Sequence, residues 1–206
     1  MIQTGCDTFT CPAPAGRPDQ LGGAAAQRVV HLGRAGIDEL TELLLSAQDG
    51  DQVALSAWIR RSQGEVWRLC AQLVSRDLAD DVTQEVYLRA YRALPAFRGE
   101  SSARTWLLSI ARRTCADAVR DLRRRRRLAA RFDRPSYEPD PARVISVEAL
   151  LSGLDPERRL AFVLTQVLGL SYLEAAEICD CPVGTIRSRV ARARADLLTS
   201  LGETAV

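Results

Sequence analysis

The chain has 206 residues, of which 47% are hydrophobic, and its formal net charge is only +2. This composition is enough for a buried core, and no apolar run is long enough to cross a membrane. The N-terminus has neither the basic segment nor the long apolar segment of a secretory signal peptide. We therefore expect a cytoplasmic protein with reduced thiols, and we predict that residues 1–35, which lack periodicity, form a disordered extension.

The cysteines and the single histidine give little support to a metal site. No two cysteines have C-x-x-C spacing, and His31 is the only histidine. We therefore expect no metal and no cofactor. Cys70 and Cys115 lie in apolar runs and are predicted to be core residues. Cys179 and Cys181 are either a redox pair or small residues in a tight turn.

Residues 36–127 have the periodicity of a first helical unit. The segment IDELTELLLSAQDG ends at Gly50, and Asp51 can cap the helix that follows. A third helix, SRDLADDVTQEVYLRAYRAL, ends before Pro95. Ser101 or Ser102 can then cap the long helix ARTWLLSIARRTCADAVRDLRRRRR. Residues 128–142 have the composition of a linker, and no strand pattern or repeat is present.

Charge is unevenly distributed over this first unit. The third helix carries Asp81 and Glu85 on the side opposite its apolar residues, which is either a solvated face or a docking face for a basic partner. In contrast, residues 98–134 contain twelve Arg against four acidic residues. In the long helix Trp106 and Leu107 belong to a core stripe, while Arg112, Arg113 and Arg120 occupy other faces. Such clustering favours phosphate binding.

Residues 143–200 predict a second helical unit with its own start and stop signals. Asp155 and Pro156 begin one helix, which runs to Gly169. Ser171 and Glu174 have the spacing of a capping box and begin the next helix. Pro182 is predicted to lie in the first turn of the last helix.

The last helix, VGTIRSRVARARADLL, has one apolar stripe formed by Val183, Ile186, Val190, Ala193 and Leu197. Thr185, Ser188 and Arg192 point the opposite way, and Arg187 and Arg189 flank them. A narrow polar face with long cationic side chains at its edges suits the major groove of DNA. An ordinary solvated helix surface is the alternative. Together with the two preceding helices, the pattern favours a helix-turn-helix unit and therefore an all-α, two-domain fold.

These segments resemble those of bacterial sigma factors of the extracytoplasmic-function (ECF) class within the sigma-70 family. DDVTQEVYLRAYRAL resembles the polymerase-binding segment, and FRGESSARTWLLSIARRTCADAVRD resembles the promoter −10 segment. LGLSYLEAAEICDCPVGTIRSRVARARADLL resembles the helix-turn-helix that reads the −35 element. The resemblance covers roughly residues 40–200 and implies two helical domains joined by a flexible linker. It also implies a protein that binds RNA polymerase core, directs it to promoters and helps to open the −10 element, and that an anti-sigma factor can hold inactive.

The resemblance also implies three groups of site residues. The polymerase-binding residues would be Asp81, Gln84 and Glu85. The −10 DNA would meet Arg98, Gly99, Glu100, Ser101, Ser102, Arg112, Arg113 and Arg120. The −35 DNA would meet Thr185, Arg187, Ser188, Arg189 and Arg192. Aromatic residues are sparse around residues 98–115, so few platforms exist for unstacked bases, and we expect dependence on near-consensus promoters.

Two other functions compete with this interpretation. A helix-turn-helix regulator of another kind would bind DNA without polymerase, but no receiver or ligand-binding domain precedes the helix-turn-helix here. A nucleic-acid-processing enzyme would need acids, bases or metal ligands gathered in one site. The sequence has no P-loop, no G-x-G-x-x-G and no clustered aspartates with metal spacing, so we predict that the chain is not an enzyme.

Overall fold

The computed structural model describes residues 38–129 and 147–204, and within these ranges it contains helices and no strands. The predicted disordered extension, residues 1–35, lies outside the described residues, as does most of the predicted linker. The helices are α1 Glu39–Gln48, α2 Gln52–Leu73, α3 Arg76–Ala93, α4 Ala103–Ala129, α5 Val147–Ser152, α6 Pro156–Phe162, α7 Tyr172–Cys179 and α8 Val183–Thr204. A 3₁₀ turn, Leu94–Ala96, follows α3, and a π turn, Val163–Val167, follows α6. The all-α fold of two helical groups, α1–α4 and α5–α8, is confirmed.

The predicted helix starts are held by the side chains expected to cap them. The Asp51 carboxylate accepts hydrogen bonds from the backbone N–H groups of Val53 and Ala54, at 2.8 and 3.0 Å. Asp155 caps α6 in the same way. Of the two serines considered for α4, Ser102 is the cap, since its hydroxyl accepts from the Thr105 N–H at 3.1 Å. Each carboxylate or hydroxyl satisfies backbone donors that the first helical turn leaves without a partner.

Three helix boundaries predicted from the sequence differ from the structure, two in position and one because the helix changes type. Pro182 precedes α8, and its carbonyl accepts the Thr185 N–H at 2.8 Å, so it is at the cap position and not in the first turn. The helix α4 continues to Ala129, two residues into the predicted linker. The helix expected to run from Pro156 to Gly169 is regular only to Phe162 and then widens into the π turn.

The core of α1–α4 is built on leucines, valines and an aromatic group. The rings of Trp58 and Tyr87 pack in a T-shaped arrangement with their centroids 5.6 Å apart. The ring centroids of Trp106 and Phe97 are 5.1 Å apart. Trp106 therefore packs within the domain, as predicted. Fully buried side chains around this group include Leu44, Val66, Leu69, Val86, Leu107 and Leu108.

The second helical group packs its own stripe and also contacts the first group. Ile186, Val190 and Ala193 of α8 are buried, and Val183 and Leu197 are half-buried, which confirms the predicted apolar stripe. The buried residues of α6, the π turn and α7 join those of α1–α4 in one continuous core. The two groups therefore lie against each other, and the most extensive contact between them is that of α4 with α7.

Candidate polymerase and DNA interfaces

The outward face of α3 carries the predicted polymerase-binding residues. Asp81 and Gln84 are exposed, whereas Glu85 is half-buried and accepts a hydrogen bond from Arg89 at 2.7 Å. Two apolar residues on the same face, Leu88 and Tyr91, are 53% and 59% exposed. They lie four and seven residues after Gln84, so the helical period places all three on one stripe. Sequence reasoning missed Leu88 and Tyr91, although the spacing itself was a usable signal.

An ionic link holds this face of α3 against α4. The Arg89 guanidinium donates to Asp117 at 2.6 Å in addition to its contact with Glu85. The hydrogen bonds to Asp117 and Glu85 raise the pKa of Arg89. The same contact, with help from Arg120, lowers the pKa of Asp117 below its usual value. Glu85 is therefore less available to a partner than Asp81 or Gln84.

The loop before α4 presents the charged residues predicted to lie near the −10 element. Arg98 and Glu100 are about four-fifths exposed, and their charged atoms are 3.8 Å apart, so the ion pair is weak. Gly99 has a φ of +68°, a conformation that glycine adopts without steric cost. Ser101 is half-buried, and the Ser102 hydroxyl is occupied by capping α4. Arg98 and Glu100 are thus the accessible side chains of the loop.

The arginines predicted to contact −10 DNA differ in their availability. Arg113 is exposed, and Arg120 is exposed but bonded to Asp117. Arg112 is half-buried against α7 and donates to the carbonyl of Cys179 at 3.3 Å. While that contact is made, the Arg112 guanidinium faces protein and not a phosphate.

A second arginine contact between the two helical groups was not predicted. Arg104, on the first turn of α4, is paired with Glu65 of α2, with its Nε 3.0 Å from the carboxylate. Its Nη2 also donates to the carbonyl of Leu168, at the end of the π turn, at 2.8 Å. Arg104 therefore fixes α2, α4 and the second helical group at one point.

The helix-turn-helix is formed by α7, a sharp turn and α8. The Ser171 hydroxyl accepts from the Glu174 N–H at 3.2 Å, and the Glu174 carboxylate accepts from the Ser171 N–H at 2.8 Å, which confirms the capping box. Burial alone would raise the pKa of Glu174, but the hydrogen bonds from Ser171 lower it. The turn is at Asp180, which adopts a φ of +53° and ends α7. These local contacts set the direction in which α8 leaves the turn.

The outward face of α8 carries four of the five residues predicted to meet −35 DNA. Arg187, Ser188 and Arg192 are exposed, and Thr185 is half-buried. Neither Arg187 nor Arg192 forms an ion pair with any residue in the described part of the chain, so both guanidiniums are open to a ligand. Arg189 is different, because it is 24% exposed and its Nη2 lies 2.8 Å from the Glu157 carboxylate.

The cysteines of the turn behave as packing residues in this structure. Cys179 is buried at the end of α7, and burial raises its pKa to about 11. Cys181 is half-buried, and its sulfur accepts a contact from Arg189 at 3.7 Å. The described residues contain no group of three or more His, Cys, Asp or Glu side chains arranged to hold a metal ion. Across the same ranges, no helix has the length and apolar character needed to span a membrane.

Comparison with known proteins places both halves of the chain in one family. Residues 53–125 match the family description "Sigma-70 region 2", and residues 145–197 match "Sigma-70, region 4". The ECF RNA polymerase sigma factor SigC of Mycobacterium tuberculosis is 48% identical over 168 residues, covering 78% of this chain and 90% of that protein. The ECF RNA polymerase sigma-E factor of Escherichia coli K12 is 35% identical over 177 residues, covering 76% and 92%.

Two solved structures have a similar fold. CnrH in complex with the cytosolic domain of CnrY aligns with a TM-score of 0.64 and 28% identity, covering 81% of this chain and 99% of that one. The sigma factor RpoE of Bartonella quintana, solved with the anti-sigma factor NepR, aligns with a TM-score of 0.60 and 26% identity, covering 72% and 96%. The likeness extends over nearly the whole length of both neighbours, so it includes both helical groups.

Proposed function

The chain belongs to the sigma-70 family as an ECF sigma factor, and from that premise we propose which of its surfaces bind polymerase and which bind the promoter. It is an alternative sigma factor that binds RNA polymerase core and directs it to specific promoters. The main support is that region 2 and region 4 occur in order on one chain whose relatives match over about nine-tenths of their length. We propose that it acts in the cytoplasm as a DNA-binding regulator without catalysis of its own.

We propose that the α3 face binds the polymerase core through a mixed acidic and apolar patch. Asp81 and Gln84 provide exposed polar groups, and Leu88 and Tyr91 provide exposed apolar area on the same stripe. Large exposed apolar residues beside polar ones are typical of protein interfaces. Glu85 serves mainly to orient Arg89, because its carboxylate is already bound within the chain.

We propose that promoter −10 DNA meets the loop before α4 and the exposed arginines of that helix. Arg98 and Arg113 have accessible guanidiniums that can approach phosphates without breaking a strong contact. Arg112 must first leave the Cys179 carbonyl, so its use requires α7 to move away from α4. Promoter binding through both elements therefore involves a change in the packing between the two helical groups.

We propose that α8 reads the −35 element in the major groove. Arg187 and Arg192 are exposed on the polar face, and Ser188 between them and Thr185 beside Arg192 are small enough for the backbone to approach base edges. Arg189, held by Glu157, supports the angle between α6 and α8 and contributes positive charge near the phosphates.

We also propose an anti-sigma factor as a partner of this chain. The support is that the B. quintana RpoE neighbour was solved with the anti-sigma factor NepR, and CnrH with the cytosolic domain of CnrY. Exposed apolar residues at the end of α8, Leu198 and Leu201, add surface that such a protein could cover.

The experiment that tests the function is a comparison of promoter binding by the purified chain, by core polymerase and by the two together. We expect the mixture to bind a promoter fragment with −10 and −35 elements far more tightly than either component. Equally tight and specific binding by the chain alone would instead support the helix-turn-helix regulator that acts without polymerase. The Asp81→Arg variant, expected to lose core binding, links the result to the proposed α3 face.

A further inference from the structure

Two buried cysteines meet in the core of the first helical group. Cys70 of α2 and Cys115 of α4 are 0% and 1% exposed, and their sulfur atoms are 3.6 Å apart. They are separated by 45 residues of sequence, so their contact is created by the packing of α2 against α4. At this separation the sulfurs are in van der Waals contact, whereas a disulfide requires about 2.05 Å between them.

The third group at this position is the hydroxyl of Thr83, on α3. Its oxygen is buried, lies beside Cys70 and has no hydrogen-bond partner. The hydrogen bond from Cys115 and the contact with Thr83 lower the pKa of Cys70, and the donation by Cys115 raises the pKa of Cys115. The Cys70 sulfur therefore has one donor, the Cys115 thiol, and an unpartnered hydroxyl lies beside it.

An open cavity borders the pair on the side of Cys115. Cys115 lines a cavity of about 640 Å³ between α4 and α6. Five arginines line it, among them Arg112, Arg113 and Arg123, together with Asp117 and Glu157. A buried cysteine in apolar surroundings is normally inert because its thiolate is disfavoured and no reagent reaches it. Here the Cys115 thiol donates to the Cys70 sulfur, and the cavity with its arginines reaches Cys115.

We propose that Cys70 and Cys115 form a dithiol that a small hydroperoxide oxidises to a disulfide joining α2 to α4. Nothing in the proposed function assigns this pair, and the inference does not depend on that function. The disulfide would tie the helix that carries Arg112 and Arg113 to the helix beside it.

The reaction balances with hydrogen peroxide as the oxidant. The Cys70 thiolate attacks one peroxide oxygen, the O–O bond breaks, and hydroxide leaves, which gives a sulfenic acid on Cys70. The Cys115 sulfur then attacks the sulfenic sulfur, the S–S bond forms, and the oxygen leaves as water with the Cys115 proton. The two thiols lose two electrons in total, and the peroxide gains them, so two waters are formed from the peroxide and the two thiol hydrogens.

The test is peptide mapping of the full chain after treatment with hydrogen peroxide. Trypsin places Cys70 in residues 69–76 and Cys115 in residues 114–120, each as the only cysteine of its peptide. We expect the two peptides to be recovered as one cross-linked species, lighter than their sum by two hydrogen atoms and separated again by dithiothreitol. We also expect oxidation to raise the Tm of the wild type, and this rise to be absent in Cys115→Ser.

The Cys181→Ser variant is the matched control, because Cys181 is half-buried and outside the pair. It should form the same cross-link and show the same rise in Tm. The proposal is overturned if both peptides are recovered as alkylated free thiols at peroxide concentrations that oxidise Cys181. It is also overturned if the cross-links found join either cysteine to a different partner. Both outcomes can be read in the wild-type chain, even if Cys115→Ser folds poorly.

Discussion

Replacing Arg192 by Ala is expected to change promoter preference without changing the fold. Arg192 is exposed on the face of α8 opposite the buried stripe, and its guanidinium forms no ion pair within the described part of the chain. Its loss removes no ion pair among the described residues, so the free energy of unfolding should change by less than about 0.5 kcal/mol. Any large effect on DNA binding must then arise at the interface.

The expected magnitude follows from the kind of contact that an unpaired guanidinium makes with a base. A bidentate contact with a guanine edge discriminates against the wrong base by about 1–3 kcal/mol. This corresponds to a loss of roughly 5- to 150-fold in affinity for the preferred promoter. The loss should be confined to one base pair of the −35 element, and promoters already altered at that position should be nearly unaffected.

The assay is binding of holoenzyme to a set of single-base −35 variants at two salt concentrations. Arg194→Ala is the matched control, since it removes the same charge from the same helix, but its guanidinium is bonded to Gln166 at 2.7 Å. If Arg192→Ala and Arg194→Ala weaken all variants equally, Arg192 contributes only general charge. The assignment of α8 as the reader of the −35 element would then be wrong at this residue.

Three further predictions concern the other surfaces. Asp81→Arg should weaken core binding at least tenfold in a titration, because it reverses an exposed charge on the proposed docking face, whereas Glu39→Arg on α1 should not. Ser171→Ala should lower the urea-unfolding free energy by about 0.5–2 kcal/mol through loss of the α7 cap. Asp117→Asn should lower thermal stability at neutral pH, and its difference from wild type should shrink as the pH falls below about 4 and disappear below the lowered folded-state pKa.

The sign of the last prediction follows from the direction of the pKa shift. Arg89 lowers the folded-state pKa of Asp117, so the ion pair stabilises the folded chain above the unfolded pKa and is lost as the pH falls through the folded value. Because Asp117 is 39% exposed, solvent screening keeps the effect small. The prediction for Asp117→Asn is contradicted if its stability difference from wild type grows on acidification. The other two are contradicted if Asp81→Arg binds core as tightly as wild type, or if Ser171→Ala is as stable as wild type.

The sequence predicted well those structural features that depend on residues close to one another along the chain. Ser171 and Glu174 are three residues apart, so their reciprocal hydrogen bonds depend only on local geometry. The stripe through Ile186 and Val190 likewise follows from the helical period. The alternation of apolar and polar residues therefore located the helices and the outward face of α8.

Features created by tertiary packing were not predictable in the same way. Val163 and Leu164 of the π turn after α6 are fully buried. No local sequence signal distinguishes this turn from a continuing α-helix. Arg112 carries the same charge as Arg113, yet only Arg112 is turned to the carbonyl of α7. The meeting of Cys70 with its partner likewise depends on how α2 packs against α4, which periodicity leaves open.

The most direct test of the central claim is run-off transcription by purified core polymerase over a library of genomic promoter fragments, with and without this chain. Transcripts are expected to start at a limited set of sites only when the chain is present, and these sites should share a −10 and a −35 element at constant spacing. Start sites that are the same without the chain, or that share no upstream elements, would contradict its action as a promoter-specific sigma factor.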